Sequence, residues 1–205
     1  RCPAEHLFDL FDEIFSFDKN DAERYHFQQI TNYNYLPEAE LDKNPMFDMV
    51  YVASYDKRIQ TLFKLTKILD ELGLSYYAKI VGKKAWKEHL NVDSRRTVFF
   101  TRRRLAHQDV PGFYERGKVL LDLIRANQSG LSFRFFEAMA LKKKIITDNE
   151  TVKEYDFYNP SNILVLNDDL SNVQKSFFEG DYQELDTAIY KKYTLENWVK
   201  TVFDL

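Results

Sequence analysis

The chain of 205 residues carries 29 Lys and Arg against 32 Asp and Glu, which gives a formal net charge of −3, and 44% of its residues are hydrophobic. This composition supplies a sizeable apolar core and excludes a disordered chain, and the acidic balance argues against a general nucleic-acid binder. The single cysteine, Cys2, excludes a disulfide framework and argues against zinc chemistry.

No apolar run in the sequence approaches the roughly 20 residues that a membrane-spanning helix needs, and no segment resembles a secretion signal. A lone cysteine favours a reducing compartment, so these features together predict a cytoplasmic protein. The sequence begins with Arg1 instead of Met, and we therefore expect a piece of a longer protein.

The first 45 residues lack a regular order of strands and helices. In residues 6–17, apolar side chains first follow a helical stripe and then the pattern of a short buried strand. Asp18 or Asn20 can cap a short helix over residues 21–27. Residues 28–45 mix Asn, Tyr and Pro without a clear period, which predicts an irregular crossing between domains.

From residue 46 onward, buried strands alternate with helices. Strands are predicted at residues 49–53, 76–81, 98–101, 119–124, 145–147 and 163–166. Helices are predicted at residues 58–72, 85–89, 110–116 and 131–141, near Val152, and at 170–178 and 195–203, with Lys142, Lys143 and Lys144 closing the fourth of them. The alternation predicts an α/β fold with a Rossmann-like, mostly parallel sheet covered by helices on both faces. We interpret residues 46–205 as this domain and residues 1–45 as the remnant of an N-terminal domain with an interdomain linker.

Three polar turns follow predicted strands, at residues 54–58, 82–84 and 128–134. Because ligands of parallel sheets bind beyond the carboxyl ends of the strands, we expect these turns to meet there. In the first turn, Lys57 and Arg58 can neutralise a diphosphate, although both can also be ordinary solvated charges. In the second turn, Gly82 and Lys83 can hold an anion, or the glycine can serve a tight turn that needs a positive φ. In the third turn, the free N–H groups of a helix N-terminus can bind a phosphate or a sugar hydroxyl.

The stretch SGLSFRFFEAMALKKKIIT resembles the donor-site motif of GT-B glycosyltransferases, in which a Gly-Leu-Ser turn leads into a helix that carries Glu-Ala-Met-Ala. The chain resembles a group of bacterial capsule and lipopolysaccharide glycosyltransferases more closely still. The matching pieces are FSFD at residues 15–18, QSGL at 128–131, Glu-Ala at 137–138, KKIIT at 143–147 and DFYNP at 156–160. The resemblance spans nearly the whole chain and implies the C-terminal half of a GT-B fold.

The resemblance also implies roles for individual residues. Glu137 matches the helix glutamate that contacts the ribose hydroxyls of the nucleotide in the wider family, and the alternative is an exposed helix carboxylate. Ser129 stands where many retaining members carry another glutamate, so retention or inversion of the anomeric centre stays open. The other donor-binding residues expected from the motif and the two neighbouring turns are Ser54, Lys57, Arg58, Gly82, Lys83, Gln128, Gly130, Leu131, Ser132 and Arg134.

The reaction implied by the resemblance is transfer of a sugar from a nucleotide-sugar donor, expected to be a UDP-sugar, to a saccharide or lipid-linked saccharide acceptor of capsule or lipopolysaccharide. Basic side chains and a helix N-terminus can stabilise the leaving diphosphate, so neither a cofactor nor a metal is expected. Catalytic bases of the family usually come from the N-terminal domain. No catalytic residue is therefore assigned, and we expect the piece alone to be inactive and to contact the inner membrane only peripherally.

A non-catalytic alternative is a Rossmann-like interaction module that binds RNA or anionic membrane. Its binding residues would be the arginine cluster, which consists of Arg95, Arg96, Arg102, Arg103 and Arg104. The same arginines can be solvated turn residues on both sides of a buried strand. For the glycosyltransferase interpretation, no nucleic-acid partner is expected.

Overall fold

The computed structural model describes residues 10–41, 44–83, 98–125 and 128–205. The strands are β1 (Phe15–Ser16), β2 (Gln28–Gln29), β3 (Phe47–Ser54), β4 (Tyr76–Val81), β5 (Val98–Thr101), β6 (Gly117–Asp122), β7 (Lys144–Thr147) and β8 (Ile163–Val165). The α-helices are α1 (Lys19–Tyr25), α2 (Ile59–Glu71), α3 (Val110–Glu115), α4 (Phe133–Ala140), α5 (Lys175–Glu179), α6 (Thr187–Lys192) and α7 (Leu195–Phe203). Short 3-10 helices lie at His107–Asp109 and Glu150–Glu154. The helix predicted at 85–89, together with Cys2, Lys84, Arg95 and Arg96, lies outside the described residues.

The main sheet has six strands in the order β5-β4-β3-β6-β7-β8, and all neighbouring strands are parallel. The chain builds outward from β3 through β4 and β5, and then returns to place β6 on the other side of β3. This reversal leaves a crevice beyond the carboxyl ends of β3 and β6, which is where parallel sheets bind their ligands.

Two apolar clusters, one on each face of the sheet, form the core. One contains Leu62, Leu65 and Leu69 from α2, and the other contains Phe135 and Met139 from α4. Apolar residues recur every three or four positions in both helices, so each presents one stripe to the sheet. The predicted α/β, Rossmann-like class is therefore confirmed, as are helices on both faces.

The segment before β3 packs on the domain. The strands β1 and β2 pair in parallel, and Asp18, one of the two predicted caps, caps α1 by accepting a hydrogen bond from the Asn20 amide at 3.0 Å, although the helix lies two residues earlier than predicted. Further along, Asn34 bridges to Thr194, and the Trp198 indole donates to the Thr31 carbonyl at 3.1 Å. The irregular segment predicted at residues 28–45 is thus held against the C-terminal helices, although only β2 is regular in its described part.

Two predicted elements need correction, and one helix was missed. The helix predicted at 170–178 begins only at α5, since Leu170 has a φ of 59°. Asparagine side chains there bond the backbone instead, as in the contact of the Asn172 amide with the Val165 carbonyl at 2.7 Å. The strand predicted at 119–124 is β6, two residues earlier, and α6 was not predicted.

The three lysines predicted to close the fourth helix lie beyond its end. The helix α4 ends at Ala140, and Lys142 takes a left-handed φ of 51°. Its ammonium group pairs with Glu184 at 2.9 Å. Lys144 instead lies within β7 and donates to the Phe177 carbonyl at 2.5 Å. These lysines therefore join neighbouring elements instead of compensating the helix dipole.

None of the described helices has the length and apolar content needed to span a membrane.

Candidate functional site

A cleft of about 200 Å³ opens at the crevice beyond β3 and β6. Its walls are Arg58, Asp122, Leu123, Ile124, Arg125, Gln128, Gly130, Ser132, Arg134 and Asn149. The turn after β3 supplies one wall, and the loop from the end of β6 to the start of α4 supplies the other. The first and third polar turns predicted from the sequence therefore face each other across this cleft.

Arg134, in the first turn of α4, is held by three groups of the fold. One guanidinium nitrogen pairs with the buried Asp122 carboxylate at 2.6 Å, and a second donates to the Val52 carbonyl at 2.7 Å. Its Nε donates to the Tyr114 hydroxyl at 3.0 Å, and the guanidinium also lies 5.5 Å from the ring centre of Tyr51. Because an arginine carries five N–H donors, these contacts fix the side chain without using every donor.

The start of α4 is organised by the same aspartate. Ser132 is the N-cap: its Oγ accepts from the Arg134 amide at 3.2 Å and donates to Asp122 at 2.8 Å. Asp122 thus orients both the helix cap and the arginine. A helix N-terminus carries partial positive charge and free N–H groups, which suit it to bind an anion in the cleft.

Arg58 defines the opposite wall. Its Nε and Nη2 form a bidentate pair with the Asp56 carboxylate at 2.8 and 2.7 Å, and its Nη1 donates to the Leu123 carbonyl at 2.8 Å. The hydrogen bond from Arg58 lowers the pKa of Asp56, so the pair is ionised at neutral pH. Arg58 therefore ties the turn after β3 to the end of β6 and lies at the edge of the cleft.

The turn Ser129–Gly130 is fixed by the segment before β3. The Asp18 carboxylate accepts from the Ser129 amide at 3.0 Å and from its hydroxyl at 2.7 Å. A Cβ added to Gly130 would lie 2.2 Å from the Phe17 carbonyl oxygen, so only glycine permits this close approach. Burial opposes ionisation of Asp18, but the hydrogen bonds from Ser129, together with those from the backbone at the start of α1, outweigh it and lower the pKa of the carboxyl.

Glu137 lies about one turn after Arg134 on α4. It is only 6% exposed, so the alternative of an exposed helix carboxylate is wrong. Its Oε1 accepts a hydrogen bond from the Tyr35 hydroxyl. Tyr35 in turn contacts the rings of His107 and Phe133, with centroid distances of 5.1 and 6.0 Å. The helix carboxylate is therefore covered by the segment that crosses the domain before β3.

Of the twelve residues expected at the donor site, five line the cleft: Arg58, Gln128, Gly130, Ser132 and Arg134. Three others, Ser129, Leu131 and Glu137, belong to the same loop and helix but do not line the cleft. Ser129 is bound to Asp18, Leu131 is buried and Glu137 is bound to Tyr35. Ser54, Lys57 and Lys83 are exposed and do not line it.

Gly82 lacks the positive φ that a tight turn would need, because among the described glycines only Gly73 has one. A Cβ on Gly82 would instead lie 2.7 Å from the Cβ of Tyr55, so the second turn packs closely on the first. Glycine is required at this position for close approach, not for an unusual backbone angle.

Sequence reasoning missed Asp122 and Asn149 as cleft residues, and it missed Asp18 and Tyr35 as the hydrogen-bond partners of Ser129 and Glu137. Asp122 had a usable signal, because a carboxylate at the end of a buried strand lies at the ligand edge of a parallel sheet. Tyr35 had none, since its surrounding sequence is aperiodic. The described residues contain no group of three or more His, Cys, Asp and Glu side chains that could hold a metal ion.

Residues 58–192 match the sequence pattern of a family described as glycosyl transferase-like. This match covers more than half of the chain. The chain belongs to the glycosyl transferase-like family. Belonging to this family does not favour the non-catalytic alternative. The described arginines of the cluster are exposed in the segment after β5: Arg102, Arg103 and Arg104.

Solved structures of glycosyltransferases share the fold. The apo form of the lipopolysaccharide outer core galactosyltransferase WaaB is 15% identical, with a TM-score of 0.53 over 94% of this chain and 62% of its own. A mutant of S. aureus TarM is 13% identical, with a TM-score of 0.60 over 97% of this chain and 44% of its own. The C-terminal domain of the group 1 glycosyl transferase LpcC from Francisella tularensis is 13% identical, with a TM-score of 0.51 over 78% of this chain and 96% of its own.

The chain therefore spans less than two thirds of WaaB and TarM but nearly all of the LpcC C-terminal domain. The expected fold, the C-terminal half of a GT-B glycosyltransferase, is confirmed. No curated protein sequence matches the chain.

Proposed function

We propose that this chain is the donor-binding part of a glycosyltransferase and that it holds a nucleoside diphosphate sugar in the cleft beyond β3 and β6. The observation that carries the proposal is the arrangement of two fixed arginines around a capped helix N-terminus at the point where the strand order reverses. An anion that enters the cleft meets Arg58 on one side and the start of α4 on the other.

This arrangement suits the departure of a diphosphate. As the bond to the sugar breaks, negative charge grows on the outer phosphate, and prepositioned N–H donors stabilise that charge without reorganising. Both arginines are already paired with carboxylates, so their part is to direct the remaining N–H donors as well as to supply charge. We propose that these groups make the transfer independent of a metal.

Glu137 would receive the ribose. A carboxylate can accept hydrogen bonds from both hydroxyls of a diol, and burial strengthens such contacts because water competes less. The Tyr35 hydroxyl donates to Oε1, and the second oxygen, Oε2, would accept from the ribose hydroxyls.

We propose a UDP-sugar as the donor, with support from TarM, which was solved in complex with UDP. A capsule or lipopolysaccharide acceptor is proposed from the sequence resemblance and from the fold shared with WaaB. A longer protein would contribute the catalytic base and the acceptor site through an N-terminal domain, of which residues 1–45 are the end. In that case this chain alone is inactive. The longer protein would act in the cytoplasm and have only peripheral contact with the membrane.

Calorimetry of the folded chain with UDP, GDP, CMP and their sugars tests the proposal. We expect one of them to bind, and Glu137→Ala to weaken that binding by about tenfold or more, the size expected when a hydrogen bond to a charged group is lost. Glu196→Ala is the matched control, because Glu196 is an exposed helix carboxylate whose partner is Lys200 on the same helix. The proposal fails if none of the nucleotides binds to folded protein.

A further inference from the structure

The contact between Tyr35 and Glu137 joins two parts of the chain that are 102 positions apart. Tyr35 lies in the irregular segment before β3, outside the residues that match the family pattern, whereas Glu137 lies on α4 within them. A contact of this kind either packs the segment against the domain or serves the carboxylate that it touches. The geometry around Tyr35 favours the second role.

The neighbour of Tyr35 anchors the segment without any help from the Tyr35 hydroxyl. Asn34 is only 3% exposed, its backbone N–H donates to the Tyr193 carbonyl at 2.6 Å, and its side-chain amide donates to the Tyr190 hydroxyl at 2.7 Å. Its own carbonyl accepts from the Leu195 amide at 2.8 Å. With these bonds in place, the position of the segment is already set.

The Tyr35 hydroxyl is committed to donating. Burial and the Glu137 carboxylate raise the pKa of Tyr35, so the phenol keeps its proton across the physiological range. A phenol donor fixed by its neighbours holds one oxygen of Glu137 and limits rotation of the glutamate side chain. A side chain that is already ordered loses less entropy when a ligand binds.

We propose that Tyr35 is a positioning residue of the donor site, which binds one oxygen of Glu137 and turns the other toward the ribose hydroxyls of the nucleotide. This inference rests on the proposed function and adds to it a residue from outside the family-matched part of the chain. Tyr35 acts through Glu137 and does not contact the sugar that is transferred.

Tyr35→Phe tests this role, because it removes the hydroxyl and keeps the ring contacts with His107 and Phe133. Binding to the full chain is measured by calorimetry with uridine diphosphate and with dideoxyuridine diphosphate, which lacks both ribose hydroxyls. We expect Tyr35→Phe to weaken binding of uridine diphosphate by about tenfold and binding of the dideoxy compound by less than about twofold. In a Glu137→Ala background, the same change should have no further effect on either ligand.

Tyr33→Phe is the matched control, since Tyr33 lies in the same segment and packs against Phe133 and Trp198 at centroid distances of 5.4 and 4.9 Å. It should leave both affinities unchanged. If Tyr35→Phe weakens the binding of both ligands equally, Tyr35 has only a packing role and the inference is overturned. Unchanged affinity for both ligands would also overturn it. If the unaltered chain binds neither ligand, the proposed function fails and the inference with it; if it binds both with equal affinity, the ribose role of Glu137 fails and the nucleotide site remains.

Discussion

Two parts of the molecule meet at the cleft, and they contribute to it differently. Residues 58–192, which match the family pattern, supply Arg58, Asp122, Ser132 and Arg134. Residues 10–41 supply no described side chain to the cleft wall, but they reach the donor motif through Asp18, Asn32 and Tyr35. The family pattern therefore covers the binding groups and omits contacts that hold residues of the motif, among them Ser129, Leu131 and Glu137.

The bonds also differ in kind. The Asp122–Arg134 pair is buried, with side chains 5% and 14% exposed, and is part of the folded core. The contacts from residues 10–41 are hydrogen bonds that join a separate segment to the domain, at the half-buried Ser129 and the buried Glu137. Disruption of the first kind should damage folding and binding together, whereas disruption of the second should damage binding with a smaller effect on stability.

The largest effect is expected from Asp122→Ala. This change leaves the buried Arg134 without its carboxylate and Ser132 without its acceptor, and breaking a buried pair typically costs about 3–5 kcal/mol. Urea unfolding measures the loss. Glu154→Ala, which breaks the exposed pair with Lys19, is the control and should cost about 1 kcal/mol or less. Equal costs for the two changes would mean that the buried pair does not organise the site.

Gly130→Ala should have the next largest effect. The added Cβ would lie 2.2 Å from the Phe17 carbonyl oxygen, so the segment before β3 must move, at a cost of about 1–3 kcal/mol. Hydrogen exchange in β1 and β2 should be faster in the variant than in the unaltered chain, whereas exchange in β3 should change less. Gly112→Ala is the matched control: nothing lies within 4 Å of its Cβ position in α3, and it should stabilise the chain by about 0.5–1 kcal/mol. Unchanged protection of β1 in Gly130→Ala would contradict the close packing.

A smaller effect, with a defined pH dependence, is expected from Asp18→Asn. The amide keeps the shape but replaces a carboxylate that accepts three hydrogen bonds, so we expect a loss of about 1–2 kcal/mol at pH 7. The folded pKa of Asp18 lies below the unfolded value, so its stabilisation is present above about pH 4 and is lost as the pH falls through the folded pKa. Unfolding of both proteins at several pH values should give a difference that shrinks toward zero in acid. A difference that persists there would show that the charge is not involved.

The sheet and its order along the chain were largely predictable from the sequence. Apolar periodicity located β4, β5 and α7 residue for residue, because short apolar strands whose alternate residues are buried and amphipathic helices have clear patterns. The pattern failed at Leu170, where side chains of Asn and Asp bond the backbone and produce turns.

The candidate site was predictable where it is local in sequence. Ser132 and Arg134 follow from the motif and from the start of a helix. The supports of the motif do not, because Asp18 meets Ser129 across 111 positions and Tyr35 meets Glu137 across 102. Such contacts depend on how the irregular segment crosses the domain, and no periodic signal encodes that path.

The central claim, that the cleft beyond β3 and β6 is a nucleotide site, is tested most directly by a crystal structure of the chain with uridine diphosphate. The account predicts the outer phosphate between Arg58 and the start of α4, and a ribose hydroxyl within hydrogen-bond distance of Glu137. A nucleotide bound elsewhere on the chain, or an empty cleft at saturating nucleotide, would contradict it.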